Sequence, residues 1–247
     1  MSVEYIVLLV FIFFVIAIFY SASGFGGGSS YLATLALFPI EFTSLRLIAL
    51  LCNIAVVSGS SYLFYKSGLL KIKRLIPLIG LSIPMAFLGG SLKIESQTFF
   101  IILGLTLLVA SISMLFSSKV GSRKLPTYSN AIIGGGIGFL SGMVGIGGGI
   151  FLSPILHISQ WSKPKVIAAT TALFILVNST AGLIGQVLSN DISIESSLIF
   201  FLLVAVFLGG QIGSRLTIQK LNPLIVKKIT AILILSVSIR ILYQYLF

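Results

Sequence analysis

Two glycine-rich clusters contain the residue types that are best suited to binding a ligand. Ser21–Ser30 reads S-A-S-G-F-G-G-G-S-S, and Ser141–Gly149 reads S-G-M-V-G-I-G-G-G. Consecutive glycines cost about 1 kcal/mol each in a helix relative to alanine, and they permit positive φ and the close approach of a ligand. Where a helix restarts after such a break, its free N–H groups can bind an anion without a positively charged side chain. Neighbouring serines add hydroxyl donors, so we expect the two clusters together to form an anion-binding cradle.

Helix packing is the alternative explanation for part of this glycine pattern. Small residues four positions apart commonly allow two helices to approach each other closely in a membrane. This spacing occurs at Gly134, Gly138 and Gly142, at Gly145 and Gly149, and at Gly209 and Gly213. We expect packing in the stretch before each triple glycine. We expect a broken helix at the triple glycines themselves, because they occur in both halves of the chain.

Two asparagines lie inside long apolar runs, where a side-chain amide must find a polar partner. Asn53 and Asn178 could contact a ligand, and interhelical hydrogen bonds would explain them equally well. Serine and threonine residues surround both asparagines, although such hydroxyls often bond to their own helix backbone. The predicted substrate-binding residues are Ser23, Gly24, Gly26, Gly27, Gly28, Ser29, Asn53, Gly145, Gly147, Gly148, Gly149, Thr170 and Asn178.

Arg46 lies near the start of an apolar run, five residues after Glu41. A long basic side chain at such a position usually extends to the membrane interface and keeps its charge in water, and we expect this of Arg46. The alternative is that Arg46 attracts anions at the mouth of the site. The middle of each apolar run lacks Asp and Glu, so the sequence offers no obvious carboxylate proton carrier.

The chain has few residues that could support catalysis or bind a metal. With one cysteine, Cys52, and one histidine, the chain cannot form an intrachain disulfide, a dithiol relay or a zinc-type cluster. The glycines do not match the G-x-x-x-x-G-K-[ST] phosphate loop, so ATP hydrolysis is not expected. We predict no catalytic residues, no metal site and no cofactor, and we expect the protein not to be an enzyme.

The composition indicates that these residues belong to a membrane protein. Of 247 residues, 57% are hydrophobic and 9% are charged, whereas soluble chains have about 25% charged residues. An apolar run of about 20 residues crosses a hydrocarbon core of about 30 Å as a helix. The runs of suitable length are 3–20, 45–64, 75–92, 98–116, 166–188, 196–213 and 229–245. We expect the first to be a span and not a cleaved signal peptide, because no basic segment precedes it.

Basic residues account for the net charge of +11, and they are concentrated in short connections. A nucleic-acid-binding protein would need a folded basic surface, which these connections are too short to form. The pattern is instead typical of cytoplasmic loops. It places residues 66–74, 119–124 and 215–228 inside, and the acidic loop 189–195 outside.

The two halves of the chain share landmarks in the same order. The corresponding pairs are Gly24–Gly28 and Gly145–Gly149, Phe87–Gly90 and Phe207–Gly210, and Asn53 and Asn178. We divide the chain into a first transmembrane repeat (1–117), a cytoplasmic linker (118–130) and a second transmembrane repeat (131–247). The loop charges give each repeat an odd number of crossings, which makes the repeats inverted. The predicted fold is an all-α membrane protein, a polytopic helical bundle of two inverted repeats, each with a glycine-broken hairpin and three transmembrane helices.

The stretches GFLSGMVGIGGGIFLSPIL (Gly138–Leu156) and SKPKVIAATTALFILVNSTAGLIG (Ser162–Gly185) resemble the second repeat of the TauE/SafE family of sulfite exporters. The first half is similar through SASGFGGG, through Lys66–Leu69 ahead of a basic loop, and through FLGG. The resemblance covers nearly the whole chain. It implies an inner-membrane carrier of bacteria or archaea that moves sulfite, sulfonates or related organosulfur anions.

We therefore predict a secondary transporter of a small sulfur-containing anion (sulfite, thiosulfate or an organosulfonate) in the prokaryotic cytoplasmic membrane. Its partners would be that anion and the lipid bilayer, with no nucleic acid, and its small-residue surfaces permit a homodimer. A passive anion channel of the same fold, or a carrier of another small anion, is the alternative. A membrane enzyme would need clustered carboxylates, histidines or cysteines. A purely structural subunit would not need a duplicated glycine break.

Overall fold

The computed structural model describes residues 3–36, 38, 40, 42–116, 127–189, 196–219 and 223–246. Most of these residues form helices, because lipid offers no hydrogen-bond partner to a backbone group and a helix satisfies its own. The helices of the described chain are α1 (Val3–Ala22), α2 (Gly28–Leu35), α3 (Phe42–Lys66), α4 (Ile72–Ser91), α5 (Ser96–Phe116), α6 (Thr127–Val144), α7 (Gly149–Ile158), α8 (Pro164–Ser189), α9 (Ser196–Gln219) and α10 (Pro223–Leu246).

Within the described residues, six helices are long and apolar enough to cross a membrane, namely α1, α3, α4, α5, α8 and α9. This result confirms the all-helical, multi-pass architecture that the composition predicts. The short helices α2 and α7 have 8 and 10 residues, so they extend only about 12 and 15 Å and neither crosses a bilayer core. The basic connection 119–124 and most of the acidic loop 189–195 lie outside the described residues.

Helices α3 and α8 form the centre of the molecule. In their apolar spans, 61% of the α3 residues and 67% of the α8 residues are buried, against 28% for α4. The two central helices pack against each other, and each also packs against a long helix of the other half, α3 against α9 and α8 against α4. Polar groups on the inner sides of these helices, such as Asn53 of α3 and Ser179 of α8 at 0% exposure, are therefore shielded from both lipid and water.

The contacts between helices come in matched pairs when α1–α5 are compared in order with α6–α10. The contact of α1 with α9 corresponds to that of α6 with α4, and the contact of α2 with α3 corresponds to that of α7 with α8. Helices α3 and α8, and likewise α5 and α10, are counterparts that pack directly on each other. Such a pattern is expected when the two halves are related by an approximate two-fold rotation.

Glycine residues bring α6 into close contact with α4. A Cβ on Gly134, Gly138 or Gly142 would overlap the carbonyl oxygen of Leu78, Ser82 or Ala86, respectively. The backbones of the two helices therefore touch at every helical turn, as small residues at this spacing allow. The prediction that the glycines before the second triple glycine serve in packing is confirmed.

Candidate functional site

The first glycine cluster ends α1 and starts α2. Gly24 has φ +78°, and the N–H of Phe25 donates to the carbonyl of Tyr20 at 2.9 Å, which is the Schellman arrangement that ends many helices. Gly27 then precedes α2 with φ +93°. Positive φ favours glycine because it has no Cβ, so the predicted interruption of the helix is observed here.

The second cluster ends α6 and starts α7 in the same way. Gly145 has φ +79°, and the N–H of Ile146 donates to the carbonyl of Ser141 at 3.3 Å. Gly147 and Gly148 also have positive φ, 73° and 78°, and Gly148 precedes α7. Corresponding glycines of the two halves thus fulfil corresponding roles.

Asn53, in the middle of α3, holds the first cluster. Its Oδ1 accepts a hydrogen bond of 2.9 Å from the N–H of Gly28, the first residue of α2. A Cβ on Gly26 or Gly28 would overlap the side-chain amide of Asn53. The amide is fully buried, and its Nδ2 has no hydrogen-bond partner among the described residues.

Gly147 brings the second cluster to the same asparagine. A Cβ on Gly147 would lie 3.2 Å from Asn53 Nδ2 and 2.5 Å from the hydroxyl of Ser179 on α8. Ser179 is fully buried, and its hydroxyl also has no partner within the described part of the chain. We call the group formed by Gly26, Gly28, Asn53, Gly147 and Ser179 the Asn53 site.

The structural counterpart of Asn53 is Ile175 and not Asn178, which corrects the pairing made from residue type. Asn53 and Ile175 each lie eleven residues after the first residue of their helix, α3 or α8. Ile175 contacts Gly147 and Gly149, as Asn53 contacts Gly26 and Gly28. Asn178 lies three residues further along, about 60° away around the helix. There its Nδ2 donates to the carbonyl of Phe174 at 2.8 Å.

Several other predicted residues have structural contacts at the glycine breaks. Gly24 lies against the backbone of α8 at Ala168, where its Cβ would be 2.6 Å from the Cα. Gly27 lies against the ring of Tyr31, and Gly148 lies against Phe174. At these positions the absence of a side chain allows close packing.

Several hydroxyl and amide groups around the breaks are buried without a hydrogen-bond partner. An unsatisfied buried polar group costs about 1–3 kcal/mol, so a cluster of them indicates a place where water or a polar ligand binds. The buried atoms without a partner among the described residues include Ser23 Oγ, Ser29 Oγ, Asn53 Nδ2, Thr170 Oγ1, Thr171 Oγ1, Asn178 Oδ1 and Ser179 Oγ. Most of these groups can donate a hydrogen bond, as an anion requires.

The predicted set omitted Ser179 and Thr171. Thr171, Ile175 and Ser179 follow one another at intervals of four residues in α8, which places them along one side of the helix. Thr171 contacts Gly149 through its methyl group, and Ser179 contacts Gly147. The four-residue spacing was the signal that would have identified both residues.

Arg46 does not extend to the membrane interface, so our first expectation for it was wrong. Only 3% of its surface is exposed. One guanidinium nitrogen donates to the carbonyl of Gly142 at 3.1 Å, and the guanidinium carbon lies 5.8 Å from the centre of the Phe99 ring. The side chain turns inward because the end of α6 offers it free carbonyl groups.

Comparisons with known proteins agree with this architecture. The family model described as "Sulfite exporter TauE/SafE" matches residues 9–241. The chain is similar to "Probable membrane transporter protein y4hK" of Sinorhizobium fredii, with 33% identity over 94% of this chain and 96% of that protein. It is also similar to "Probable membrane transporter protein YunE" of Bacillus subtilis, with 24% identity over 74% of this chain and 72% of that protein. No solved structure matches the chain significantly. The chain therefore belongs to the TauE/SafE family, and it is a multi-pass membrane transporter of that type.

Proposed function

We propose that this protein is a secondary transporter that carries a small sulfur-containing anion across the prokaryotic cytoplasmic membrane, and that the anion binds at the Asn53 site. The observation that carries the proposal is the meeting of both glycine clusters at Asn53. Gly28 contacts this side chain from the first half, and Gly147 contacts it from the second. A site built from both halves can respond to a movement of one half against the other.

The chemistry of the Asn53 site suits an anion. Asn53 Nδ2 and the Ser179 hydroxyl are buried donors without a partner among the described residues. The first turn of α2 adds the N–H groups of Ser29 and Ser30, which cannot bond within the helix because of their position. The aligned peptide dipoles of α2 place partial positive charge at its N-terminal end. The site thus offers an anion a set of neutral hydrogen-bond donors.

The depth of the site agrees with a binding position near the membrane midplane. Asn53 lies eleven residues into the 25 residues of α3, about 16 Å from the start of a helix about 37 Å long. Carriers with inverted repeats commonly bind their substrates at broken helices at this depth. Asn53 is also fully buried, so the conformation described is closed around the site.

The inverted orientation of the repeats is supported by a contact between two basic connections. Arg74, at the start of α4, donates to the carbonyl of Trp161 at 3.1 Å, and its guanidinium carbon lies 4.6 Å from the centre of the Trp161 ring. Trp161 lies between α7 and α8, two residues before Lys163. The two connections therefore lie on the same side of the bundle, which the positive-inside rule assigns to the cytoplasm.

The proposed substrate class comes from the family, whose description names sulfite export. A carrier of this kind alternates the access to one site, whereas a passive channel keeps a continuous path open. Burial of Asn53 and Ser179 to 0% exposure favours the carrier. We expect no enzymatic activity, because transport requires only binding and a change of conformation.

The proposal is tested by ligand-induced stabilisation of detergent-purified protein. Melting curves are recorded with sulfite, thiosulfate, sulfate, sulfoacetate, taurine and chloride, on the wild type and on Asn53→Ala. A ligand at 100 times its Kd stabilises the fold by about 2.7 kcal/mol. We expect one or more sulfur anions to raise the wild-type Tm and to leave that of Asn53→Ala unchanged. Equal changes of Tm in the two proteins would show that Asn53 is not part of the site. A Tm that none of the six compounds changes would contradict the proposed substrate class.

A further inference from the structure

We propose that Arg46 is a second anion-binding group, which selects the substrate at the end of the Asn53 site nearest to the start of α3. Its guanidinium binds the oxyanion part of the substrate as the substrate moves between Asn53 and the membrane surface at which α3 begins. This inference rests on the proposed function, because it assigns a further residue and a ligand geometry to the same anion path.

Arg46 is a buried cation, and few polar contacts among the described residues offset its charge. It is 3% exposed. Among the described residues its Nε has no hydrogen-bond partner, and one guanidinium nitrogen donates to the Gly142 carbonyl. A guanidinium has five N–H donors, and the described hydrogen bond to Gly142 uses one of them. Burying a charge without an opposite charge is costly. Glu41, five residues earlier in the sequence, lies outside the described residues.

Packing does not require an arginine at this position. Arg46 and Ala168 are counterparts, since each lies four residues after the first residue of its helix, α3 or α8. A Cβ on Gly145 would lie 3.5 Å from the Cβ of Arg46, and a Cβ on Gly24 would overlap the backbone of Ala168. The corresponding glycine of the other half thus lies against an alanine, so the long side chain is not needed for this contact. The guanidinium breaks the approximate symmetry, and it places a charge on one side of the site only.

The position of Arg46 along α3 connects it to the Asn53 site. Arg46 precedes Asn53 by seven residues, which is nearly two helical turns, so the two side chains leave the same side of α3 about 10 Å apart along its axis. Both also contact the second glycine cluster, Arg46 at Gly145 and Asn53 at Gly147. An anion that passes along this side of α3 meets Arg46 and Asn53 in succession.

The geometry of the guanidinium indicates the ligand class. The Gly142 carbonyl is a neutral acceptor, and an oxyanion forms stronger, charge-assisted hydrogen bonds with the same nitrogens. The planar fork of Arg suits an anion with two or more oxygens on one centre, such as sulfite, a sulfonate or a carboxylate. A monatomic anion such as chloride offers one acceptor atom, so it cannot form two parallel N–H···O bonds with the fork. Arg46 therefore gives the path a preference for oxyanions over halides.

The test compares wild type, Arg46→Lys, Arg46→Gln and Arg240→Gln, the last as a control at an exposed arginine of α10. Affinities for sulfite, sulfoacetate and chloride are measured by thermal stabilisation, and saturable oxyanion uptake is measured in vesicles. We expect Arg46→Gln to weaken oxyanion binding about 10- to 100-fold and Arg240→Gln to leave it unchanged. Arg46→Lys keeps the charge but not the fork, so it should retain binding and lose at least part of the preference for oxyanions over chloride.

The outcomes separate this inference from the proposed function. If the wild type binds and transports an oxyanion while both Arg46 variants match it in affinity and in preference, the role of Arg46 is refuted and the transporter stands. If the wild type binds no anion, the proposed function itself fails. If Arg46→Gln does not fold, the Arg46→Lys variant alone tests the inference, through its preference for oxyanions over chloride.

Discussion

The Oδ1 atom of Asn53 accepts a hydrogen bond of 2.9 Å from the N–H of Gly28, and this bond joins the middle of α3 to the first turn of α2. Gly28 is glycine because a Cβ at this position would overlap the amide. The other end of the same amide, Nδ2, points to the second half, where a Cβ on Gly147 would lie 3.2 Å away. One side chain thus connects the two broken segments.

Replacing Asn53 should weaken both the fold and the binding site. Asn53→Ala leaves the Gly28 N–H buried without its acceptor, which costs about 1–3 kcal/mol. Asn178→Ala removes a bond to Phe174 of the same helix, so it should cost less and should leave anion binding closer to that of the wild type. Melting temperature and anion affinity in detergent check both variants. Loss of binding in Asn178→Ala but not in Asn53→Ala would contradict this assignment.

Gly148→Ala should destabilise the protein. Gly148 has φ +78°, and a Cβ there would lie 2.9 Å from Ile137 and 3.0 Å from Phe174. A strained backbone of this kind costs about 1–3 kcal/mol. Gly80→Ala is the matched control, because Gly80 is helical and has open space around it. The Tm should fall in Gly148→Ala only, and transport should fall with it while the protein still inserts into the membrane. Equal melting temperatures would show that the break does not require glycine.

Gly138→Ala should separate α6 from α4. Its Cβ would lie 2.7 Å from the Cα of Ser82, and an overpacked contact costs about 1–3 kcal/mol. Gly136→Ala, two residues earlier, meets no atom within 4 Å and replaces a helical glycine, so it should be neutral or slightly stabilising. Melting curves of the two variants measure the difference. A Gly138→Ala protein as stable as Gly136→Ala would contradict the close backbone contact.

The proposed inverted topology predicts from which side of the membrane the two ends of α4 can be labelled. In a Cys52→Ser background, Lys71→Cys lies before α4 and Lys93→Cys lies after it, and both positions are exposed. A membrane-impermeant maleimide should label the first only from the cytoplasmic side and the second only from outside. Labelling of both from the same side would overturn the proposed orientation of α4.

The helices were predictable from sequence because lipid leaves an apolar run few alternatives. The predicted span 166–188 lies within α8 (Pro164–Ser189), and the span 75–92 matches α4 (Ile72–Ser91) to within three residues. The break at each triple glycine was also predictable, since positive φ at Gly27 and Gly148 suits a residue without a Cβ. The residues within each segment determine both the helical spans and the breaks between them.

The composition of the site was less predictable, because it depends on helix register and on contacts between the halves. Asn178 was paired with Asn53 by residue type, whereas the contacts pair Asn53 with Ile175. Ser179 becomes part of the site only through Gly147, a residue distant in sequence. Arg46 turns inward because the end of α6 lies beside it, and no local pattern around residue 46 shows this neighbour.

The measurement that tests the central claim most directly is anion flux into liposomes that contain the purified protein. Uptake of labelled sulfite, thiosulfate and sulfoacetate is followed against empty liposomes and against liposomes containing Asn53→Ala. We expect uptake of at least one of these anions to saturate with concentration, to be inhibited by the others, and to fall at least tenfold in the variant. Uptake no faster than in empty liposomes, or uptake that never saturates and is equal in Asn53→Ala, would contradict a carrier whose site is formed at Asn53.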